Sequence, residues 1–337
     1  MFSGGLDSLL AVRIMQNEGF DVAAIHFYTG FNGNVATDIS RGLSGRWEPE
    51  EHVVKAAESL GVELIPLDIR EGFLDVMLNP RYGYGSGANP CIDCRIFTLN
   101  HARAIMERMN ATLVFTGEVL GQRPMSQNRT MLITVEKRSS LKGRLLRPLS
   151  ARLLDPTIPE MEGIVDREHM YDIQGRSRKR QMELAKTFGV EAYPSPAGGC
   201  ILTDRQYSVK FKDLLVHTDT HPVTLADLMG LKTGRHLRLA SGVKVIVGRS
   251  EKENDYLAEL LDDCWQFTTR DYPGATVFAL DEPEDDDFKL IGSIAARYGK
   301  GSGEQSVTVI ACKGDDVREL IVRPAARDSI DPLLLNP

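Results

Sequence analysis

The chain opens on Met1-Phe2-Ser3-Gly4-Gly5-Leu6-Asp7-Ser8 and continues into the apolar run 9–15. The two glycines have no Cβ atom, so a phosphate can come close to consecutive backbone N–H groups. The two serines add hydroxyl donors, and the apolar run predicts a helix whose positive N-terminal end faces the anion. A bare Gly-Gly pair would indicate only a turn between a strand and a helix. The whole pattern of Ser3 to Ser8 predicts a phosphate-binding loop.

Asp7 is the unusual member of this loop, because a carboxylate beside a triphosphate is repelled unless something compensates its charge. A bound Mg²⁺ ion or a hydrogen bond would do so. We therefore expect Asp7 to organise Mg²⁺ at the phosphates of ATP. Only Met1 and Phe2 precede the loop, where a buried strand is expected, so we also expect the sequence to begin several residues late.

Length and composition set the outer bounds. A chain of 337 residues with 42% hydrophobic residues favours two domains with real cores, or three small ones. A net charge of −7 argues against wholesale coating of nucleic acid, although it does not exclude a folded RNA such as tRNA. The sequence has neither an apolar stretch of membrane-spanning length nor a signal-peptide pattern, so we expect a cytoplasmic protein without a membrane partner.

Strands and helices alternate through the first half of the chain. The predicted strands are 22–27, 62–67 and 111–115, and the predicted helices are 51–60 and 100–109. This alternation predicts an α/β fold with a doubly wound parallel sheet that binds its ligand at the carboxyl ends of the strands. The loops that follow strands are therefore the expected sites of function.

The loop after Phe115 reads Thr-Gly-Glu-Val-Leu-Gly-Gln-Arg-Pro-Met-Ser-Gln over residues 116–127. Together with the N-terminal loop, and with the Arg-Pro-Leu step at 147–149, it resembles the PP-loop domain of the tRNA thiouridine synthetases of the ThiI, MnmA and TtuA type. The resemblance covers residues 1–204 and implies a HUP-type, adenine nucleotide alpha hydrolase-like domain that splits ATP into AMP and pyrophosphate. It further implies two groups of site residues: Gly117, Gln122 and Phe27 at the nucleotide, and Arg123 and Gln127 facing the substrate. A polar loop that only caps a helix is the alternative.

Five cysteines in a chain without an export signal do not indicate a disulfide framework. Cys264 and Cys312 lie in apolar contexts and are expected to be buried. Cys91 and Cys94 form a C-x-x-C, and Cys200 ends the segment Pro-Ser-Pro-Ala-Gly-Gly-Cys. Related tRNA thiolases carry such a C-x-x-C with one distant cysteine, which implies a four-iron, four-sulfur cluster with one iron open to sulfide. A persulfide relay is the alternative, and structural thiols or zinc stay open as a third interpretation.

A basic stretch, residues 174–181, lies just before the Cys200 segment. Arg176, Arg178 and Lys179 in this stretch are either phosphate contacts for RNA or part of a solvated helix face. We carry all three forward as candidate RNA-binding residues.

The character of the sequence changes near Asp204, and residues 205–337 are predicted to form a second, α+β domain. Its Val-Gly-Arg-Ser-x-x-x-Asn-Asp-Tyr-Leu string, residues 247–257, resembles the NFACT RNA-binding domain. A helix capped by Ser250 is expected there. The resemblance implies that Arg249 and Lys252 contact RNA phosphates.

The resulting hypothesis is an ATP- and Mg²⁺-dependent tRNA sulfurtransferase. It adenylates a uridine carbonyl oxygen, after which sulfur held by Cys91, Cys94 and Cys200 displaces AMP. The sulfur would come from sulfide or a cysteine desulfurase, and a homodimer stays open. The alternatives are a PP-loop ligase or sulfurtransferase for a small molecule, and a non-catalytic RNA-binding factor regulated by ATP.

Overall fold

The computed structural model describes residues 1–33, 35–41, 47–190, 193–194, 200–217 and 222–336, with only the backbone of residues 37, 40 and 41. The chain divides into two compact units. The first comprises Met1–Asn32 and Trp47–Cys200, and the second comprises Gly33–Arg46 and Ile201–Pro337. The sequence analysis assigned residues 33–46 to the N-terminal domain and drew the boundary at 204. The contacts within the chain instead group that segment with the C-terminal part.

The helices in chain order are α1 (Leu6–Asn17), α2 (Val35–Arg41), α3 (Glu51–Leu60), α4 (Arg70–Leu78), α5 (Cys91–Arg108), α6 (Arg129–Arg138), α7 (Ile158–Met161), α8 (Lys179–Thr187), α9 (Arg205–Val216), α10 (Leu225–Gly230), α11 (Glu251–Leu260), α12 (Asp285–Arg297) and α13 (Arg327–Ile330). The strands are β1 (Ala23–Tyr28), β2 (Glu63–Asp68), β3 (Val114–Phe115), β4 (Leu145–Leu146), β5 (Arg235–Arg238), β6 (Lys244–Val247), β7 (Trp265–Thr269), β8 (Val277–Ala279), β9 (Val307–Lys313) and β10 (Asp316–Val322).

The strands of the first unit pair in parallel, as the alternating pattern predicts. β1 lies beside β2 along its whole length, and β3 lies beside β4. Alternate residues of β1 face opposite sides: Ala24 joins a hydrophobic cluster with α1 and α3, whereas Ile25 and Phe27 join a second cluster with α5. Helices therefore cover both faces of β1, which makes this unit an α/β domain. The described strands form two parallel pairs, and the single doubly wound sheet stays a prediction.

Helix α5 begins earlier than the sequence pattern predicts, at Cys91 instead of Asn100. Pro90 occupies the N-cap, where its missing N–H group costs the helix nothing. As a result, the C-x-x-C lies in the first turn of the helix. Cys91 and Cys94 are three residues apart and share one helix face.

The second unit is built on a six-stranded sheet with the order β10-β9-β7-β8-β6-β5, in which every neighbouring pair is antiparallel. Helix α12 covers one face through a cluster that includes Phe288 and Val309, and α11 covers the other through Leu257 and Ile246. Ser250 caps α11 by accepting from the Glu253 backbone N–H, as predicted. The unit is therefore α+β, as its sequence indicates.

Among the described residues, no helix is both long enough and apolar enough to span a bilayer.

Candidate nucleotide and sulfur site

The N-terminal loop forms the expected turn into α1. The Ser8 hydroxyl donates to the Gly5 carbonyl at 2.8 Å, and the Ser3 and Ser8 hydroxyl oxygens lie 3.3 Å apart. Gly4 has a φ of 70°, and a Cβ atom there would lie 3.2 Å from the Val53 backbone. Only glycine suits both conditions. The loop therefore holds its backbone N–H groups and hydroxyls around the N-terminus of a helix that carries no side-chain cap.

The loop after β3 packs directly on the N-terminal loop. A Cβ atom on Gly117 would lie 2.5 Å from the Asp7 carbonyl carbon, so no other residue fits there. Farther along, the Gln122 side-chain amide donates to Asp7 Oδ2 at 3.0 Å. Within the described part of the chain, the buried Asp7 Oδ1 has no hydrogen-bond partner. The structure thus brings together Asp7, Gly117 and Gln122, all three predicted nucleotide-site residues.

Several groups act on the Asp7 carboxylate. Burial raises the pKa of Asp7, while the Gln122 hydrogen bond and the charges of Arg178 and Arg123 oppose that rise, as does the Gln181 amide. The Asp7 oxygen without a described partner is available to a divalent cation. Phosphate oxygens that share this cation would balance its charge and the charges of the nearby arginines.

The basic stretch contributes to this same region. The Gly175 backbone N–H donates to the Leu120 carbonyl at 2.7 Å, and α8 packs against α1. Arg178 is half-buried and its charge acts on Asp7, whereas Arg176 and Lys179 are exposed. The three cations that the sequence analysis grouped as RNA contacts therefore have different surroundings.

The three cysteines of interest act on one another. Although part of its surface is accessible, burial raises the pKa of the Cys94 thiol to about 12; Arg95 opposes the rise, and the Cys200 and Cys91 charges add to it. The buried Asn89 side-chain amide donates to Cys91 Sγ at 3.1 Å. The Cys200 thiol donates to the Phe31 carbonyl at 3.2 Å. The thiols are therefore inequivalent.

A buried ion-pair network links α5, the helix that carries Cys91 and Cys94, to the 116–127 loop. Glu118, 3% exposed, pairs with Arg95 at 3.0 Å and with Arg147 at 3.1 Å. Burial opposes the ionisation of Glu118, but the two arginines outweigh burial and lower its pKa. Since Arg95 follows Cys94 directly, this network fixes the start of α5 relative to the 116–127 loop.

The three cysteines could in principle hold a metal. Three thiols are a donor set that suits zinc or an iron–sulfur cluster. Within the ranges described, however, no three His, Cys, Asp or Glu side chains are arranged to hold a metal ion. The ligand geometry for a cluster is thus not formed by these side chains. Most of the predicted segment before Cys200, residues 195–199, lies outside the described residues.

Two other predicted site residues, Phe27 and Gln127, are buried in contacts that stabilise the fold. The Phe27 ring is buried in the α5-side cluster, 6.3 Å from the His101 ring. Gln127 is buried and closes its own loop, since its side chain accepts from the Arg123 N–H at 3.1 Å and its carbonyl accepts from the Gly121 N–H at 2.7 Å. Arg123 is exposed.

In the second unit, the two predicted phosphate contacts also differ. Lys252 is exposed at the start of α11. Arg249 pairs with Glu253 at 2.9 Å, so part of its charge is already compensated. Asn254 has a structural task, because its Oδ1 atom accepts from the Thr276 N–H at 3.2 Å and ties α11 to the loop before β8.

Sequence reasoning missed Asn89, Glu118 and Gln181 as members of the site. Asn89 lies two residues before Cys91, and Glu118 lies inside the 116–127 loop. Both are therefore next to motifs that the sequence already singled out. Gln181 had no such signal, because its position near Asp7 depends on how α8 packs.

Comparisons with known proteins match the two units of the chain to two different domain families. Residues 1–140 match the tRNA methyl transferase HUP domain, and residues 234–332 match the NFACT protein RNA binding domain. The tRNA-specific 2-thiouridylase MnmA of Bartonella quintana is 25% identical over 133 residues, 38% of this chain and 32% of the relative. The enzyme of the same name from Methylobacterium nodulans is 23% identical over 269 residues, 74% of this chain and 67% of the relative.

Two further similarities concern another 2-thiouridylase and a solved structure. The Thermotoga sp. (strain RQ2) tRNA-specific 2-thiouridylase MnmA is 30% identical over 27% of each chain. The C-terminal part of the fibronectin/fibrinogen-binding protein from Streptococcus suis matches 46% of this chain and 76% of its own, with a TM-score of 0.27 and 16% identity. The chain thus spans about a third of the Bartonella relative and about a quarter of the Thermotoga relative. The resemblance seen in the sequence is confirmed at the level of the matched segments: residues 1–140 are similar to the tRNA methyl transferase HUP domain and to tRNA-specific 2-thiouridylases, and residues 234–332 are similar to the NFACT RNA-binding domain.

Proposed function

We propose that this protein is an ATP-dependent tRNA thiolase. The observation that carries the proposal is the meeting of the Ser3–Ser8 loop with Gly117 and Gln122, combined with the tie from Glu118 to the cysteine helix. Phosphate-binding backbone and sulfur-bearing side chains are thereby held in one unit. The NFACT-type domain supplies a module for RNA.

In the proposed reaction, the loop N–H groups and serine hydroxyls bind the ATP phosphates, and Asp7, whose Oδ1 atom has no described partner, would hold Mg²⁺. A uridine carbonyl oxygen attacks the α-phosphorus. The bond from that phosphorus to the bridging oxygen breaks, and pyrophosphate leaves. The Mg²⁺ ion would neutralise charge on the leaving group, and AMP then makes the uridine oxygen a good leaving group.

Sulfur transfer follows from the inequivalence of the thiols. Cys91 lies in the first turn of α5 and its sulfur accepts a hydrogen bond from the Asn89 amide, so we assign the sulfur-carrying persulfide to Cys91. Its terminal sulfur attacks the activated uridine carbon, and AMP leaves. The Cys200 thiolate then attacks the Cys91 sulfur, which releases thiouridine and leaves a Cys91–Cys200 disulfide that a thiol reductant reopens. Cys94, with a pKa near 12, stays protonated throughout.

The four-iron, four-sulfur cluster is the second candidate for the sulfur centre. Iron analysis of anaerobically purified protein distinguishes the two. A persulfide relay predicts colourless protein, whereas about four irons per chain, lost on changing Cys91, Cys94 or Cys200 to Ala, would support the cluster.

RNA recognition is proposed for the second unit, with Lys252 and Arg249 as phosphate contacts and exposed Arg123, Arg176 and Lys179 as further candidates at the first unit. Phosphate contacts position the RNA but do not read its sequence. Gln127 is kept as a residue that shapes the substrate loop.

The test of the proposed function is AMP and pyrophosphate formation with and without tRNA. We expect tRNA to stimulate turnover in the full chain and Asp7→Ala to reduce it by about a hundredfold or more with the fold retained. Asp21→Ala, which removes an exposed carboxylate of the same unit, is the matched control and should have no effect. Turnover that ignores RNA would favour a small-molecule substrate, and surviving turnover in Asp7→Ala would refute the assignment of the loop.

A further inference from the structure

A group of buried polar atoms near Asp7 lacks hydrogen-bond partners among the described residues. The group consists of Asp7 Oδ1, Arg178 Nε and both amide atoms of Gln181. Gln181 is 0% exposed. The Gln181 amide is close enough to the Asp7 carboxylate to lower its pKa. Neither of the amide's polar atoms, however, reaches hydrogen-bond geometry with a described group. Buried polar groups in native proteins are nearly always paired, so a cluster of exceptions indicates a ligand site.

The fold fixes the position of these side chains. Arg178 is the N-cap of α8 and Gln181 lies in its first turn, three residues later, so the two side chains share one helix face. Helix α8 packs against α1, whose first turn forms the end of the Ser3–Ser8 loop. The chain before α8 is pinned by the Gly175-to-Leu120 hydrogen bond.

We propose that Arg178 and Gln181 form a second wall of the phosphate site. Arg178 binds the β- and γ-phosphates that leave as pyrophosphate, and Gln181 is a positioning residue that orients Asp7 once Mg²⁺ and phosphate are bound. The proposal rests on the ATP-dependent function above and deepens it. It also separates Arg178 from the RNA-binding role that its basic neighbours Arg176 and Lys179 keep.

The donor chemistry matches the ligand. A guanidinium carries only donors and forms strong, charge-assisted hydrogen bonds to phosphate oxygens. An amide supplies both a donor and an acceptor, so Gln181 can donate to a carboxylate or phosphate oxygen and accept from a metal-bound water. A ligand with several anionic oxygens and a hydrated cation would satisfy all the unpaired atoms together.

A purely structural role for Gln181 makes the opposite prediction. An amide that is buried without partners weakens the free protein, whereas an amide that holds the fold together strengthens it. Gln181→Met keeps the length of the side chain and removes both polar atoms. We therefore expect Gln181→Met to melt at the wild-type temperature or above while binding MgATP more weakly.

The experiment is calorimetric titration of the full chain with MgATP, magnesium pyrophosphate and AMP, together with thermal unfolding. Arg178→Ala should weaken ATP and pyrophosphate binding by about ten- to a hundredfold and change AMP binding by less than about twofold. Gln181→Met should weaken MgATP binding by about tenfold and show a smaller loss when Mg²⁺ is omitted. Lys186→Ala, an exposed lysine on the same helix, is the control and should match the wild type.

The other possible outcomes each contradict one proposed role, that of Arg178, of Gln181 or of the nucleotide site as a whole. If the wild type binds MgATP in an Asp7-dependent way while Arg178→Ala and Gln181→Met bind as well as the wild type, the second wall is wrong and the proposed function stands. If Arg178→Ala weakens AMP as much as ATP, Arg178 does not bind the leaving phosphates. A clear drop in the melting temperature of Gln181→Met would show a structural role. Failure of the wild type to bind any nucleotide would refute both proposals.

Discussion

Replacing Glu118 by Gln should destabilise the first unit markedly, because its carboxylate is the shared partner of two arginines. The change keeps the shape of the side chain but leaves Arg147, 3% exposed, with one ion pair, to Glu136 at 3.2 Å, and a hydrogen bond to the Leu132 carbonyl at 3.3 Å. Arg95 is 27% exposed and can turn towards water. Removing one partner of a buried pair lowers the free energy of unfolding by about 3–5 kcal/mol. Because Arg147 keeps its pair to Glu136, we expect a loss of about 3 kcal/mol.

The assay is urea unfolding followed by the fluorescence of Trp47. The chain has two tryptophans, so a Trp265→Phe background makes Trp47, which stacks on Tyr28 at 4.8 Å, the reporter of the first unit. Glu107→Gln on α5 breaks an exposed pair to Arg103 and should cost at most about 0.5 kcal/mol.

The loss in Glu118→Gln should also depend on pH. Since the folded pKa of Glu118 is lowered, its contribution is complete above the unfolded value of about 4.3 and is lost as pH falls through the folded value. The difference from wild type should thus be constant near neutrality and shrink below about pH 4. A loss at pH 7 no larger than that of Glu107→Gln would show that the Glu118 carboxylate does not hold the two arginines in the fold.

Three further outcomes are expected. Because the pKa of Cys94 is about 12, iodoacetamide at pH 8 should modify Cys94 at least about a hundredfold more slowly than free cysteine, and peptide mapping that finds equal rates would contradict the burial argument. Lys252→Ala should reduce the salt dependence of RNA binding by about one phosphate contact in filter-binding titrations, and Arg249→Ala should reduce it less because Glu253 already compensates its charge; equal effects would count against that difference. Burial lowers the pKa of Lys210 from 10.5 to about 8 and does the same to Lys244, so the unfolded state binds more protons between those values and the second unit should gain stability as pH rises from about 8 to 10. Lys210→Met should reduce this gain, leaving the part due to Lys244, in urea titrations followed by Trp265; an unchanged slope would contradict it.

Local sequence patterns predicted much of this fold because short-range rules decide them. The Ser250 cap follows from a serine before an acidic first turn, and the parallel pairing of β1 with β2 follows from the intervening helix α3. The turn into α1 was readable for the same reason, since its glycines have a conformational task that few other residues perform.

Features that depend on packing between distant segments were not readable. Residues 33–46 join the second unit, where Lys232 pairs with Asp38 at 2.7 Å in a buried contact across nearly two hundred positions. A lysine and an aspartate so far apart carry no periodic signal. Gln181 resembles any polar helix residue until α8 is placed on α1, and a C-x-x-C does not reveal that one thiol is buried and another accepts a hydrogen bond from Asn89.

ATP-dependent thiolation of tRNA can be measured by reconstitution with purified protein comprising residues 1–337, unmodified tRNA, MgATP and a persulfide donor, followed by mass spectrometry of the tRNA nucleosides. We expect thiouridine in about a one-to-one ratio with AMP, dependent on ATP and abolished by Cys91→Ser. AMP formed without thiouridine and at a rate that tRNA does not change would contradict it and indicate a small-molecule substrate. RNA binding without any ATP turnover would contradict it in favour of an ATP-regulated RNA-binding factor.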